Sequence, residues 1–209
     1  MQIDVVIDVV CPWCFVGKRQ LDRALEMRPG VVTSVRYLPY QLSAETPAEG
    51  VDRNEYYEKK FGNSPQFQAA RQHLRTLGEA LGIQFDFESE CRIANTLDAH
   101  RLLRWGYGAG VQPQLADALM KAYFEDCEFL GDRELLASIA GRVGMDENLV
   151  RELLATDRDK AETQNDIMQV QRMGVSGVPL YILDQRVGLS GAQGEATIAD
   201  AIDRVSAGE

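Results

Sequence analysis

Two thiols with two residues between them are the part of this 209-residue chain best equipped for chemistry: Cys11-Pro12-Trp13-Cys14. They follow an apolar run, Ile3 to Val10, and lead into a helical pattern. A cysteine pair of this spacing at a strand-to-helix junction is a redox-dithiol signature. If the helix begins at about Pro12, Cys11 is its cap and Cys14 lies one turn further in, on the same face. That brings the two Cα atoms into the range of roughly 4.4–6.8 Å that a disulfide spans. Pro12 suits a first turn whose amides have no intrahelical partner. The positive helix end favours a thiolate at Cys11, with the deeper Cys14 a thiol that resolves a mixed disulfide. Zinc is the competing chemistry, but a four-ligand site needs a second close pair. The other cysteines, Cys91 and Cys127, stand apart, so no metal is expected. They read as two unrelated free thiols, and the acidic neighbours Glu125, Asp126 and Glu128 disfavour a thiolate at Cys127.

The elements that must hold the pair follow from periodicity. The run Ile3, Val5, Val6, Ile7, Val9 and Val10 reads as a strand covered on both faces. Leu21, Ala24 and Leu25 mark the inner face of a helix that stops at Pro29-Gly30, and Val31 to Leu38 reads as a second, parallel strand. Pro39 to Asp52 is a loop, after which the period stays helical for about a hundred residues. The stripes there are Phe67 to Leu81, a helix from Asn95 to Tyr107, Leu115 to Tyr123, Leu136 to Val143 and Leu149 to Leu154. Asp132 and Asp146 are the expected caps of the last two. A more polar helix, 158–173, should turn Ala161, Ile167, Met168 and Val170 inward. Leu180 to Leu183 pairs with Arg186 to Leu189 through a tight Asp184-Gln185 turn, and Ile198 to Val205 closes the chain as a helix. The layout is β-α-β, a helical block, then β-β-α. It predicts an α/β fold of thioredoxin type, residues 1–50 and 158–209, with a helical domain, 51–157, inserted between its halves.

Val178-Pro179 is the second landmark. Taken alone, an X-Pro bond is cis in only about 5–6% of cases, so the dipeptide by itself predicts trans. Facing a dithiol in a thioredoxin-type sheet it is expected to be cis, with Val178 offering its backbone to an extended substrate segment.

Composition narrows the partners. With 22 Lys+Arg against 32 Asp+Glu, a net charge of -10 and no basic block, nucleic acid and anionic membrane are poor partners. No apolar run approaches the roughly 20 residues of a membrane span, and Met1 to Val10 lacks the marks of a signal peptide. The expectation is a cytoplasmic protein.

The stretch Val9 to Lys18 resembles the opening of the DsbA-like oxidoreductases of the FrnE type. Pro39-Tyr40-Gln41-Leu42, Asn95 to Leu102, Gly174 to Pro179 and Ser190-Gly191-Ala192-Gln193 extend the resemblance over essentially the whole chain. It implies dithiol–disulfide exchange with protein or peptide thiols, Cys11 attacking and Cys14 resolving, without a bound cofactor. Pro12, Trp13, Val178, Pro179 and Asn95 would border the substrate, and glutathione could serve as co-substrate. His100 is read as a satisfied helix residue, and His73 as a surface residue without a role. The same superfamily holds the 2-hydroxychromene-2-carboxylate isomerases and kappa-class glutathione transferases, which use glutathione and typically carry serine where Cys11 stands. That glutathione-dependent chemistry is the alternative, and the presence of both cysteines argues against it.

Overall fold

The apolar run becomes strand β1 (Gln2–Ile7) in the computed structural model, which describes residues 1–62 and 64–208. Past Ile7 the chain leaves the sheet in a turn closed by the Cys11 N–H, which donates to Asp8 O at 3.1 Å. Helix α1 (Pro12–Met27) starts there with Cys11 as its cap. Strand β2 (Ser34–Pro39) runs parallel to β1, three residues later than the Val-rich pattern suggested.

The segment that follows is helical, as its periodicity requires, with two additions. Strands β3 (Val51–Asp52) and, later, β4 (Arg92–Ile93) pair as a small separate sheet around helices α2 (Arg53–Phe61) and α3 (Pro65–Leu81). Helix α2 carries no apolar stripe, which is why periodicity misses it; only Arg53 in it is fully buried, with Tyr56 and Tyr57 partly so. Four helices follow: α4 (Leu97–Gly108), α5 (Gln112–Phe124), α6 (Arg133–Arg142) and α7 (Glu147–Leu154). Asp132 and Asp146 cap α6 and α7 by accepting from Glu134 N–H and Leu149 N–H. In α8 (Lys160–Arg172) Thr163, Ile167 and Val170 turn inward, whereas Ala161 and Met168 lie on the exposed side.

Strands β5 (Leu180–Leu183) and β6 (Val187–Ser190) form the hairpin, with Asp184 and Gln185 both at positive φ, and α9 (Glu195–Ser206) ends the chain. The main sheet has the order β2-β1-β5-β6, parallel between β1 and β2 and antiparallel elsewhere.

Its two faces are distinct. Helix α1 lies against the Tyr181 side so closely that Gly17 has no room for a Cβ, which would strike the Tyr181 hydroxyl and come 2.9 Å from Pro179 Cγ. Gln20 of α1 accepts from Gly194 N–H at 3.0 Å, tying α1 to the start of α9. On the other face Asp4 takes a two-pronged ion pair from Arg36 at 2.9 and 2.8 Å, and α8 and α4 cover this side. At the edge, the buried Gln112 amide pairs with both backbone groups of Tyr37 (2.8 and 3.0 Å), acting as a one-residue extension of the sheet. No described helix is long and apolar enough to cross a membrane.

Candidate active site

The strand-to-helix turn sets the thiols. Cys11 and Cys14 are both free, and Cys14 N–H donates to Cys11 O at 3.0 Å as the first turn of α1 closes. Cys11 is buried in the described chain but lies at the helix end; its Sγ is 3.7 Å from Val178 O. The Val178–Pro179 bond is cis, and the following strand is anchored by Gly191 N–H donating to Pro179 O at 2.8 Å. The landmarks at positions 11 and 178, 167 residues apart, thus meet in one place. Cys14 is 0% exposed. Burial pushes its thiol well above the ordinary value, reinforced by its hydrogen bond to Cys11 and by the charges of Cys11 and Asp8, while the Asp8 backbone opposes the shift. Cys14 is therefore a protonated thiol at neutral pH.

Around the pair stand residues that sequence reasoning did not single out. The ring of half-buried Trp13 sits 5.9 Å from that of His73 on α3, so His73 is the neighbour of the residue between the cysteines rather than a bystander. Tyr57 of α2 has its phenol pushed up to about 12, chiefly by burial, with the nearby Cys11 charge adding to the effect and Arg53 opposing it. Asp8, 1% exposed, accepts from Leu42 N–H at 2.8 Å and lies 3.3 Å from His100 Nε2. The same Nε2 is 2.9 Å from Tyr40 O. An acid set inside the apolar run beside two cysteines was the available signal, because a buried charge is retained only with partners.

Asn95 does not take the place expected of it. It precedes α4 instead of lying on it, and its amide is spent on the chain. Oδ1 accepts from Leu97 N–H (3.1 Å) and Gln41 Nε2 (3.0 Å), and Nδ2 donates to Ala44 O and Thr46 O, each at 3.0 Å. All four of its hydrogen-bonding positions are used, so Asn95 holds the loop after β2 against the start of α4. Arg101 behaves likewise, fully buried and donating to Leu153 O, Thr156 O and Arg158 O.

Cys91 and Cys127 are not two separate thiols. They form a disulfide with Cα atoms 5.4 Å apart. The 36-residue separation gave no hint of it, since the pairing depends on how α3, α4 and α5 pack. Asp86 lies with these two sulfurs inside a 4.8 Å group, but a disulfide offers a metal no thiolate.

Comparison with known proteins places the family and the fold. The DSBA-like thioredoxin domain family matches residues 2–203. The probable DsbA oxidoreductase SCO1869 from Streptomyces coelicolor superposes with a TM-score of 0.89 at 29% identity, over 100% of this chain and 91% of that one. The uncharacterized protein YwbO of Bacillus subtilis (strain 168) is 24% identical over 204 residues, 97% of this chain and 96% of its own. The cytosolic disulfide reductase DsbM from Pseudomonas aeruginosa, solved with GSH, has a TM-score of 0.65 at 14% identity over 99% and 96% of the two chains, a likeness of fold.

Proposed function

From the chain's membership of the DSBA-like thioredoxin domain family, we propose that it is a dithiol–disulfide oxidoreductase in which Cys11 attacks and Cys14 resolves. One observation carries the reading: a free thiol caps α1, 3.7 Å from Val178 O, with a second free thiol one turn deeper. The Cys11 sulfur, as thiolate, bonds to one sulfur of a substrate disulfide, and the substrate's other sulfur leaves with the electron pair. Cys14 loses its proton and bonds to Cys11, and the second substrate sulfur leaves reduced. Run backwards, the oxidised pair donates its disulfide, and the direction follows the potential of the partner.

Protein or peptide thiols are the substrates this reading favours. Val178 presents a backbone carbonyl beside Cys11, suited to an extended segment, and Pro12 and Trp13, next to Cys11 in the chain, are only half-buried. Glutathione fits as co-substrate by analogy with the neighbour solved with GSH. The exchange as written calls for no bound cofactor or metal, and the cytoplasm is the compartment proposed. The glutathione-dependent isomerase alternative would leave Cys14 without a task.

The test is insulin reduction and oxidation of a reduced protein substrate, with Cys11→Ser and Cys14→Ser beside the wild type. Cys11→Ser should abolish both activities. Cys14→Ser should hold the substrate on Cys11 as a mixed disulfide, seen as added mass that dithiothreitol removes. Undiminished exchange by Cys11→Ser would overturn the proposal.

A further inference from the structure

The Cys91–Cys127 bridge takes no part in exchange at Cys11, yet a third metal-ligating group stands beside it. A carboxylate oxygen of Asp86 and the two sulfurs all lie within 4.8 Å of one another. Around a tetrahedral zinc ion, with Zn–S bonds of about 2.3 Å and Zn–O bonds of about 2.0–2.2 Å, such atoms stand roughly 3.5–3.8 Å apart. Side-chain rotation covers the difference once the sulfurs are no longer bonded to each other.

Backbone hydrogen bonds hold the three residues together independently of the bridge. Asp86 N–H donates to Phe124 O at the end of α5 (2.7 Å), and Glu128 N–H donates to Ala122 O of the same helix (2.8 Å). Asp86 and Cys127 are thereby tied to one helix end. Cys91 O accepts from Arg53 N–H at 2.9 Å, and β4 pairs with β3 directly after Cys91. Asp86 Oδ1 accepts from Glu88 N–H (3.0 Å) and Ser89 N–H (2.9 Å), which fixes the carboxylate through one oxygen.

The charges favour a cation. Glu90, Glu125, Asp126 and Glu128 flank the ligands in the chain, and Glu128 Oε2 is buried without a partner among the described residues. Opposing them are Arg53, which acts on Asp86 electrostatically, and Arg92, whose guanidinium is turned to Gly50 O and the Phe129 ring. Acids that disfavour a free thiolate favour one that shares its charge with a divalent ion, because a coordinating thiol gives up its proton.

We propose that reduction of the Cys91–Cys127 bridge makes a divalent-metal site, in which both sulfurs and the Asp86 carboxylate hold zinc and water fills the fourth position. A dithiol reductant gives the bridge two electrons and two protons and becomes a disulfide itself, leaving two thiols. Zinc then displaces both protons to solvent and forms two Zn–S bonds. Two thiolates with one carboxylate select zinc over magnesium and calcium, which take oxygen ligands. Bridge and metal exclude each other because they use the same sulfurs, so only the reduced protein holds the ion. The site is separate from Cys11 and Cys14 and stands whether or not those exchange disulfides.

Cobalt is the probe, since it reports thiolate ligands by charge-transfer absorption and tetrahedral geometry by its visible bands. The full chain carrying Cys11→Ser and Cys14→Ser, in which only the bridge sulfurs remain, is reduced with dithiothreitol, freed of it under nitrogen and titrated with cobalt. Both absorptions should saturate at one ion per chain and vanish when zinc is added, and the oxidised chain should give neither. Asp86→Asn, which keeps an oxygen for the two N–H groups of its turn, should weaken binding by about 100-fold or more, since losing a group that only orients a ligand already costs roughly 10–100-fold. Cys127→Ser should weaken binding as far and halve the charge-transfer band. Zinc-loaded protein should re-form the bridge under diamide more slowly than zinc-free protein, read by counting free thiols. Circular dichroism checks the fold of the reduced chain and of each variant, and Cys127→Ser keeps the test open if Asp86→Asn does not fold. No thiolate band in the reduced chain, the same spectrum in the oxidised chain, full affinity in Asp86→Asn or in Cys127→Ser, re-oxidation unaffected by zinc, or loss of the fold on reduction would overturn the proposal.

Discussion

Cys11 and Cys14 differ because of where one helical turn places them. Cys11 caps α1 beside the Val178 carbonyl, and Cys14 lies wholly inside. The same burial that holds Cys14 protonated makes the reduced protein sensitive to alkali. A thiol whose folded pKa lies above its unfolded value, about 8.5, contributes stability that is fully present below that value and is lost as pH rises above it. Urea titrations of the reduced wild type should therefore show stability falling between about pH 8.5 and 10. Cys14→Ser should lose less over the same interval, and equal losses would show that the Cys14 environment is not what the fold indicates. Residue chemistry of this kind was half legible beforehand. The thiols and Pro179 stand out by type and spacing, but His73 and Tyr57 enter the site only because other elements bring them there.

At the scale of elements, the site is the junction of α1 with β1 on one side and β5 on the other. The closeness of α1 to the sheet depends on Gly17, whose missing side chain leaves room for the Tyr181 hydroxyl and Pro179. Gly17→Ala should destabilise the protein by about 1–3 kcal/mol, the usual cost of overpacking, and should also slow exchange by displacing Pro179 relative to Cys11. Chemical denaturation and the insulin assay together check this, and a variant as stable and active as the wild type would show that the contact relaxes freely. Periodicity located α3 to α9 because each buries an apolar stripe. It missed α2, whose inward residue is an arginine, and two-residue strands such as β3 and β4 carry no period at all.

For the whole molecule, the Cys91–Cys127 bridge joins the β4 segment to the chain after α5, and Arg53 N–H at the start of α2 donates to Cys91 O at 2.9 Å. The bridge therefore braces the wall that carries Tyr57 toward Cys11. Closing a loop across 36 residues stabilises a fold by about 3–4 kcal/mol on the chain-entropy account. Cys91→Ser/Cys127→Ser should lose stability of that order in denaturant melts under non-reducing conditions while keeping both Cys11 chemistry and the fold. Wild type and variant melting alike would mean that the bridge adds nothing to the folded state. Such a bridge is uncommon in a reducing compartment, so counting free thiols on protein taken directly from cells also tests the cytoplasmic proposal.

The sequence alone determined the dithiol, the helix it caps, the alternation of strands and helices, and hence the DsbA-like fold. These are local matters: residue type, spacing and period record which face of each element must be buried. The tertiary structure decided what lies across from what. It set Val178 against Cys11, closed Cys91 onto Cys127, turned Asn95 into a brace and paired Asp8 with His100. Contacts between residues far apart in the chain leave no period in it, because they are fixed by how whole elements pack and not by the order of neighbouring residues.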